Sequence, residues 1–121
     1  MKTPTAGILL AAGESTRFGE PKQLLTLGGR FLIEWALVAA LGSNLDHVVL
    51  VLGCEHGRIR RCLSSSTAYP KCEILVNPDY RSGQSTSLQA GLLRIRHDFP
   101  SAMFLLGDQP LVDAALINLL L

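Results

Sequence analysis

The chain has 121 residues, the size of one domain with its own buried core. With 48% hydrophobic and 17% charged residues it falls outside the disordered class, and a formal net charge of +1 excludes a generally basic, nucleic-acid-binding surface. Any anion site must therefore be local. Cys54, Cys62 and Cys72 are odd in number and form no C-x-x-C pair, so they read as free thiols of a reducing compartment rather than as a zinc site.

The opening "MKTPTAGILLAAGES" imitates a signal peptide, with a Lys ahead of an apolar run and small residues. That run, 6–12, is at the short limit for such a segment and contains Gly7, so a first buried strand is the preferred reading. No run approaches membrane-spanning length, and a soluble, cytoplasmic protein is expected. Three more apolar runs follow, at 48–52, 73–76 and 102–106, continuous rather than alternating, as in strands buried on both faces.

Segments of helical period lie between these runs. Leu32, Ile33, Ala36, Leu37, Ala40 and Leu41 make one stripe, and Leu88, Leu92, Ile95 and Phe99 another. "EHGRIRRCL" is a shorter candidate helix. Strands alternating with helices predict βαβ units and a mostly parallel sheet in a single domain, 1–121. "SSST" at 64–67, with Pro70 behind it, reads as a surface loop. The last segment, "LVDAALINLLL", reads as a helix halted in mid-course, without Gly, Pro or a charged last turn, and a fragment is expected.

In open α/β sheets ligands bind at the carboxyl ends of the strands, so the residues after each strand carry the functional reading. After the first comes "AAGESTRFGEPKQ". Gly13 and Gly19 permit unusual backbone, Ser15 and Thr16 add hydroxyls, and Arg17 and Lys22 supply positive charge. An anion cradle and a long loop with incidental basic residues both fit. The pattern is neither a Walker A loop nor a G-x-G-x-x-G dinucleotide loop. After the second strand, Gly53 can be a simple turn or can admit a ligand close to the backbone.

After the third strand, Asn77-Pro78 starts a turn, and Gly83, Ser85, Thr86 and Ser87 precede the second helical stripe. One of these hydroxyls is expected to cap that helix, while the others and the helix amides suit a polar ligand. After the fourth strand, "LLGDQP" places Asp108 either as a turn residue or as a ligand for Mg²⁺, which takes one or two carboxylates plus substrate phosphates. An anion loop and a carboxylate on one sheet edge make up the minimal equipment for phosphoryl or nucleotidyl transfer.

"LAAGESTRFGEPKQLL" resembles the L-A-A-G-x-S-x-R-x-G-x-x-K signature of MobA-like nucleotidyltransferases, and "NPDYRSGQSTSLQAGL" and "LLGDQP" resemble two later motifs in the same order. The "AAG" and "GDQP" forms are most similar to the molybdenum cofactor cytidylyltransferase branch. The resemblance implies a three-layer Rossmann-like nucleotidyltransferase fold, cut short after the fourth strand and its following helix. It implies CMP transfer from CTP to the molybdopterin cofactor with release of pyrophosphate, and transient contact with a molybdoenzyme or its chaperone. Carried over by position, Leu10, Ala11, Ala12 and Gly13 approach the nucleotide, with Gly53, Asn77, Gly83 and Ser87 also bordering it. Arg17 and Lys22 neutralise the triphosphate and Asp108 binds Mg²⁺. The family continues past its G-D-Q-P motif into an acceptor-binding half with a further acidic metal ligand, which is expected to be missing from these 121 residues.

Other members of the superfamily are the nearest rivals. "PKQ" at 21–23 is also similar to the cytidylyltransferase of isoprenoid synthesis, whose fourth strand is followed by a different sequence. Guanylyltransferases tend to have Gly for the second Ala, and sugar-phosphate nucleotidylyltransferases a longer basic loop. A non-catalytic nucleotide-binding module is the alternative from another class.

Overall fold

A computed structural model describes residues 4–13, 16–17, 20–63, 70–109 and 112–121, and only the backbone at 16, 17 and 20. The elements in chain order begin with β1 (Thr5–Ala11), β2 (Thr16–Arg17), β3 (Glu20–Pro21), β4 (Thr26–Leu27), β5 (Arg30–Phe31) and α1 (Leu32–Leu41). They continue with β6 (His47–Leu52), α2 (His56–Cys62), β7 (Cys72–Val76), α3 (Gln84–Ile95), β8 (Ser101–Leu106) and α4 (Ala114–Leu120). Short 3₁₀ turns occupy Lys22–Leu24 and Tyr80–Ser82.

The four apolar runs pair as one parallel sheet in the order β7-β6-β1-β8. β1 is central. Its residues alternate between two cores, with Leu9 and Ala11 on one face and Ala6, Ile8 and Leu10 on the other. The first core also takes Ile33, Ala36, Leu37 and Ala40 of α1, Ile59 of α2 and Ile117 of α4. The second is closed by Ile95 of α3, with Leu88 and Phe99 packed against it. Helices therefore cover both faces, and the fold is the expected three-layer α/β arrangement. Full burial of each such Leu, Ile or Val contributes about 1.5–3 kcal/mol, so the sheet and its two cores dominate stability. Among the described residues, no helix is long and apolar enough to cross a membrane.

Residues 20–31, only the first of which belong to the segment read as cradle or long loop, are ordered. They contain the Lys22–Leu24 turn and a β4–β5 hairpin whose Gly28 and Gly29 have φ of 60° and 83°. Trp35 of α1 pins the hairpin by donating Nε1–H to the Leu27 carbonyl at 2.7 Å. The "SSST" tract lies outside the described residues.

The expected stripe of α3 holds at Leu88, Ile95 and Phe99 and is corrected at Leu92. Its buried residues are Ser87, Gly91 and Ile95, while Leu92 is 42% exposed and Phe99 lies beyond the helix. The cause is close approach: a Cβ on Gly91 would sit 2.6 Å from Ile8 Cγ2. A backbone packed this tightly on β1 makes small residues the centre of the interface, with Leu88, Ile95 and Phe99 of the expected stripe packed around it and Leu92 alone turned outward. Phe99 instead stacks on His47, ring centroids 5.5 Å apart.

At the amino edge of the sheet, His47 Nε2 lies 2.9 Å from Glu73 Oε1, and Arg94 of α3 donates to Glu73 Oε2. Burial pushes the Glu73 carboxyl up, but the hydrogen bonds and charges of His47 and Arg94 outweigh it and hold the group below its ordinary value. The Cys72 thiol beside it is pushed up by burial and by the Glu73 charge, which keeps it protonated and unreactive.

Gly91→Val is expected to cost about 1–3 kcal/mol by overpacking against Ile8, read as a fall in the urea midpoint at unchanged slope. Because the folded Glu73 carboxyl is depressed, its contribution is complete above the unfolded value near 4.3 and disappears as pH falls through the lower folded value. Glu73→Gln should lower stability by about 1 kcal/mol at pH 7, with the gap closing towards pH 3 in parallel urea titrations.

Candidate functional site

From β1 the chain moves outward through β6 to β7, then returns to the opposite side of β1 to form β8. The strand order thus reverses between β1 and β8, and a crevice lies at the carboxyl edge beside them. A cleft of about 260 Å³ occupies this place. Leu10, Ala11, Ala12 and Gly13 form its floor, Leu106 and Asp108 one wall, Lys22 and Gln23 a second, and Tyr80, Gln84 and Ser87 a third.

Three backbone hydrogen bonds set the edge. Gly107 N–H donates to the Leu10 carbonyl at 2.9 Å, Cys54 N–H to the Ala12 carbonyl at 3.1 Å, and Asn77 N–H to the Leu52 carbonyl at 2.7 Å. All four strand exits are thereby tied to one another. Gly13 itself is exposed, with open space around its Cα.

Lys22 reaches the cleft from the 3₁₀ turn, which Leu24 anchors in the first core. Its ammonium lies 3.1 Å from Asp108 Oδ2, with side chains 44% and 36% exposed. An ion pair this exposed contributes about 0–1 kcal/mol, so each partner is free to exchange the other for a ligand at little cost. Gln23 is 6% exposed, and its Nε2 donates to the carbonyls of Ala11 at 3.1 Å and Gly13 at 3.5 Å. Its Oε1 is buried without a partner among the described residues, a cost of about 1–3 kcal/mol.

Asn77, 3% exposed, holds the third wall together from behind. Its Nδ2 donates to Thr86 Oγ1 and Ser87 Oγ, each at 2.9 Å, and its Oδ1 accepts from Asp79 N–H at 3.0 Å. This ties the end of β7 to the first turn of α3. The expected hydroxyl cap of α3 is corrected: Gly83 is the N-cap residue, with φ 114° and no side-chain cap. Thr86 Oγ1 instead points back to the Gly83 carbonyl at 2.7 Å.

Of the residues singled out from sequence, Leu10, Ala11, Ala12, Gly13, Lys22, Ser87 and Asp108 meet on the cleft. Gly53, Asn77 and Gly83 lie outside its lining. Gly53 offers no opening to a ligand, since a Cβ there would come 2.7 Å from Tyr80 Cβ and 2.9 Å from Ala12 Cβ. It serves packing, letting the Tyr80–Ser82 turn close over the end of β1. Arg17 pairs with Glu20 through its backbone in the β2–β3 ladder, and its side chain lies outside the described residues. Sequence reasoning missed Gln23, Tyr80, Gln84 and Leu106. Tyr80 and Gln84 carried a usable signal, since both follow the third strand; a buried Gln beside Lys22 carried none.

Among the described residues, no group of three or more His, Cys, Asp or Glu side chains is gathered. One carboxylate beside an open cleft suits a divalent cation shared with ligand phosphates, and does not suit an all-protein metal cage.

An α/β fold with backbone, ammonium and carboxylate converging at its switch point belongs to the nucleotide-handling class. The chain belongs to the MobA-like NTP transferase domain family, whose model matches residues 7–121. It is 35% identical over 118 residues to the bifunctional protein GlmU of Kineococcus radiotolerans, covering 95% of this chain and 23% of that protein. It is 32% identical over 125 residues to the purine catabolism protein PucB of Bacillus subtilis, covering 99% of this chain and 61% of that one. The crystal structure of Rv0371c from Mycobacterium tuberculosis in complex with manganese superposes with a TM-score of 0.77 at 29% identity, over 98% of this chain and 58% of that one. The chain thus spans less than two thirds of these relatives.

Asp108→Asn removes a negative charge from the cleft and releases Lys22. Metal-free nucleoside triphosphate should then bind roughly twofold to fivefold tighter by calorimetry in chelator, the equivalent of an exposed ion pair. Weaker binding would show that the pair does not compete with the ligand.

Proposed function

We propose that this domain transfers a nucleotidyl group, CMP from CTP, to a phosphorylated acceptor of the molybdopterin type and releases pyrophosphate. The observation that carries this reading is the pairing of Lys22 with Asp108 at 3.1 Å beside the exposed backbone of Gly13. Membership of the MobA-like family supports the reaction class. The "AAG" and "GDQP" forms at 11–13 and 107–110 support the cytidylyl branch, and the absence of a long apolar helix among the described residues agrees with a cytoplasmic setting.

The acceptor's phosphate oxygen attacks the α-phosphorus of CTP, the bond to the bridging oxygen breaks, and pyrophosphate leaves with the electron pair. The acceptor is already a nucleophile, so the protein's contribution is alignment and charge compensation. Backbone from Leu10 to Gly13 seats the nucleotide at the sheet edge, with Gln84 and Ser87 at the first turn of α3 bordering it. Lys22, with Arg17, offsets the negative charge of the triphosphate and of the departing pyrophosphate. Asp108 would hold Mg²⁺, which when bound screens the phosphate oxygens.

CTP with Mg²⁺ is expected to raise the melting temperature more than GTP, ATP or UTP; at 100 times its Kd it adds about 2.7 kcal/mol. Lys22→Ala should lower kcat/KM by about 10²–10³, the loss typical of one charge-stabilising donor, with little change in melting temperature. Equal shifts with all four nucleotides would remove the cytidylyl assignment, and no shift with any would remove the nucleotide site.

A further inference from the structure

Gln23 does something that the ion pair and strand ends do not explain. It is a polar side chain buried in the wall of the cleft, and its amide nitrogen is committed to two carbonyls of the floor, Ala11 and Gly13. The orientation of the carboxamide follows from this. The flipped form would set Oε1 against both carbonyls, two acceptors facing an acceptor. Oε1 is therefore the atom left unpaired among the described residues, and it is buried.

A residue selected for packing would be a Leu or Met, which fill the same space with no orphaned acceptor. What the carboxamide accomplishes is local. It draws the Ala11 and Gly13 carbonyls to the same side chain, and a peptide's N–H points opposite to its C=O. The Ala12 N–H, which shares its peptide with the Ala11 carbonyl, is thus turned away from Gln23. We propose that Gln23 is a positioning residue: it holds the backbone at 11–13 in the ligand-ready form, and links that backbone to the turn carrying Lys22. The link to nucleotide affinity rests on the nucleotidyl-transfer reading above; the effect on the backbone does not.

The test is Gln23→Met in the whole chain, read three ways. Removing the carboxamide eliminates the orphan Oε1 but leaves the buried Ala11 carbonyl unpaired, so the melting temperature should stay near that of the wild type. Amide hydrogen exchange at Ala12 and Gly13 should accelerate about tenfold while Ile8 and Leu9 remain protected, a local opening confined to the site. The Kd for nucleoside triphosphates should weaken about tenfold and by the same factor for CTP, UTP, GTP and ATP, because the backbone and not the base is affected.

A loss confined to one base would make Gln23 a direct base contact and overturn the proposal. So would unchanged exchange at Ala12 and Gly13, or exchange rising along all of β1 with a lower melting temperature, the signature of a structural peg. Should wild-type protein bind no triphosphate while exchange still accelerates in Gln23→Met, the positioning role stands and the nucleotidyl-transfer reading falls. Gln23→Leu repeats the exchange measurement if the Met variant does not fold.

Discussion

The two-sided burial of β1 is the constraint on which the rest of this structure depends. It is paired in parallel on both edges, with β6 and β8, and packed on both faces. Such a strand has no exposed edge or face on which to place a functional group, so chemistry is confined to its exit. Because the strand order reverses between β1 and β8, the place of the crevice is a consequence of connectivity before any side chain is considered. Close approaches finish the shape: Gly53 admits Tyr80, and Gly107 sits against Ala11.

The energies divide accordingly. Each fully buried apolar side chain contributes about 1.5–3 kcal/mol, whereas the exposed Lys22–Asp108 pair contributes about 0–1 kcal/mol. The cores position the charges, and the charges do not hold the cores. That separation is what a binding site requires, since groups that must exchange partners on ligand binding cannot also be those that maintain the fold. Buried polar groups mediate between the two layers. Asn77 joins the end of β7 to α3, and Gln23 joins the Lys22 turn to the end of β1. The opposite edge, with Glu73 between His47 and Arg94, is by contrast a closed ion-pair cluster.

The four strands were legible in the sequence to within a residue or so at each end, because continuous apolar runs separated by helical periods admit few other arrangements. The α1 stripe was legible for the same reason, its buried set being Ile33, Ala36, Leu37 and Ala40. The face of α3 was legible only in part, at Leu88 and Ile95, and its centre was not. A contact built on Ser87 and Gly91 leaves no hydrophobic signature, since small residues matter there for what they leave out.

The residue types at the strand exits, and hence the candidate chemistry, are determined by sequence alone: Gly13, Lys22, Ser87 and Asp108 follow apolar strands, and that placement requires no coordinates. Only the tertiary structure decides which of them meet. Sheet order brings Asp108 to Lys22 across 86 positions of chain, and close packing takes Gly53 out of contact with any ligand. Burial likewise turns Gln23 from an ordinary polar residue into the support of the cleft floor. Strand order, close approach and burial are properties of packing between distant segments, and periodicity along one segment carries no record of them.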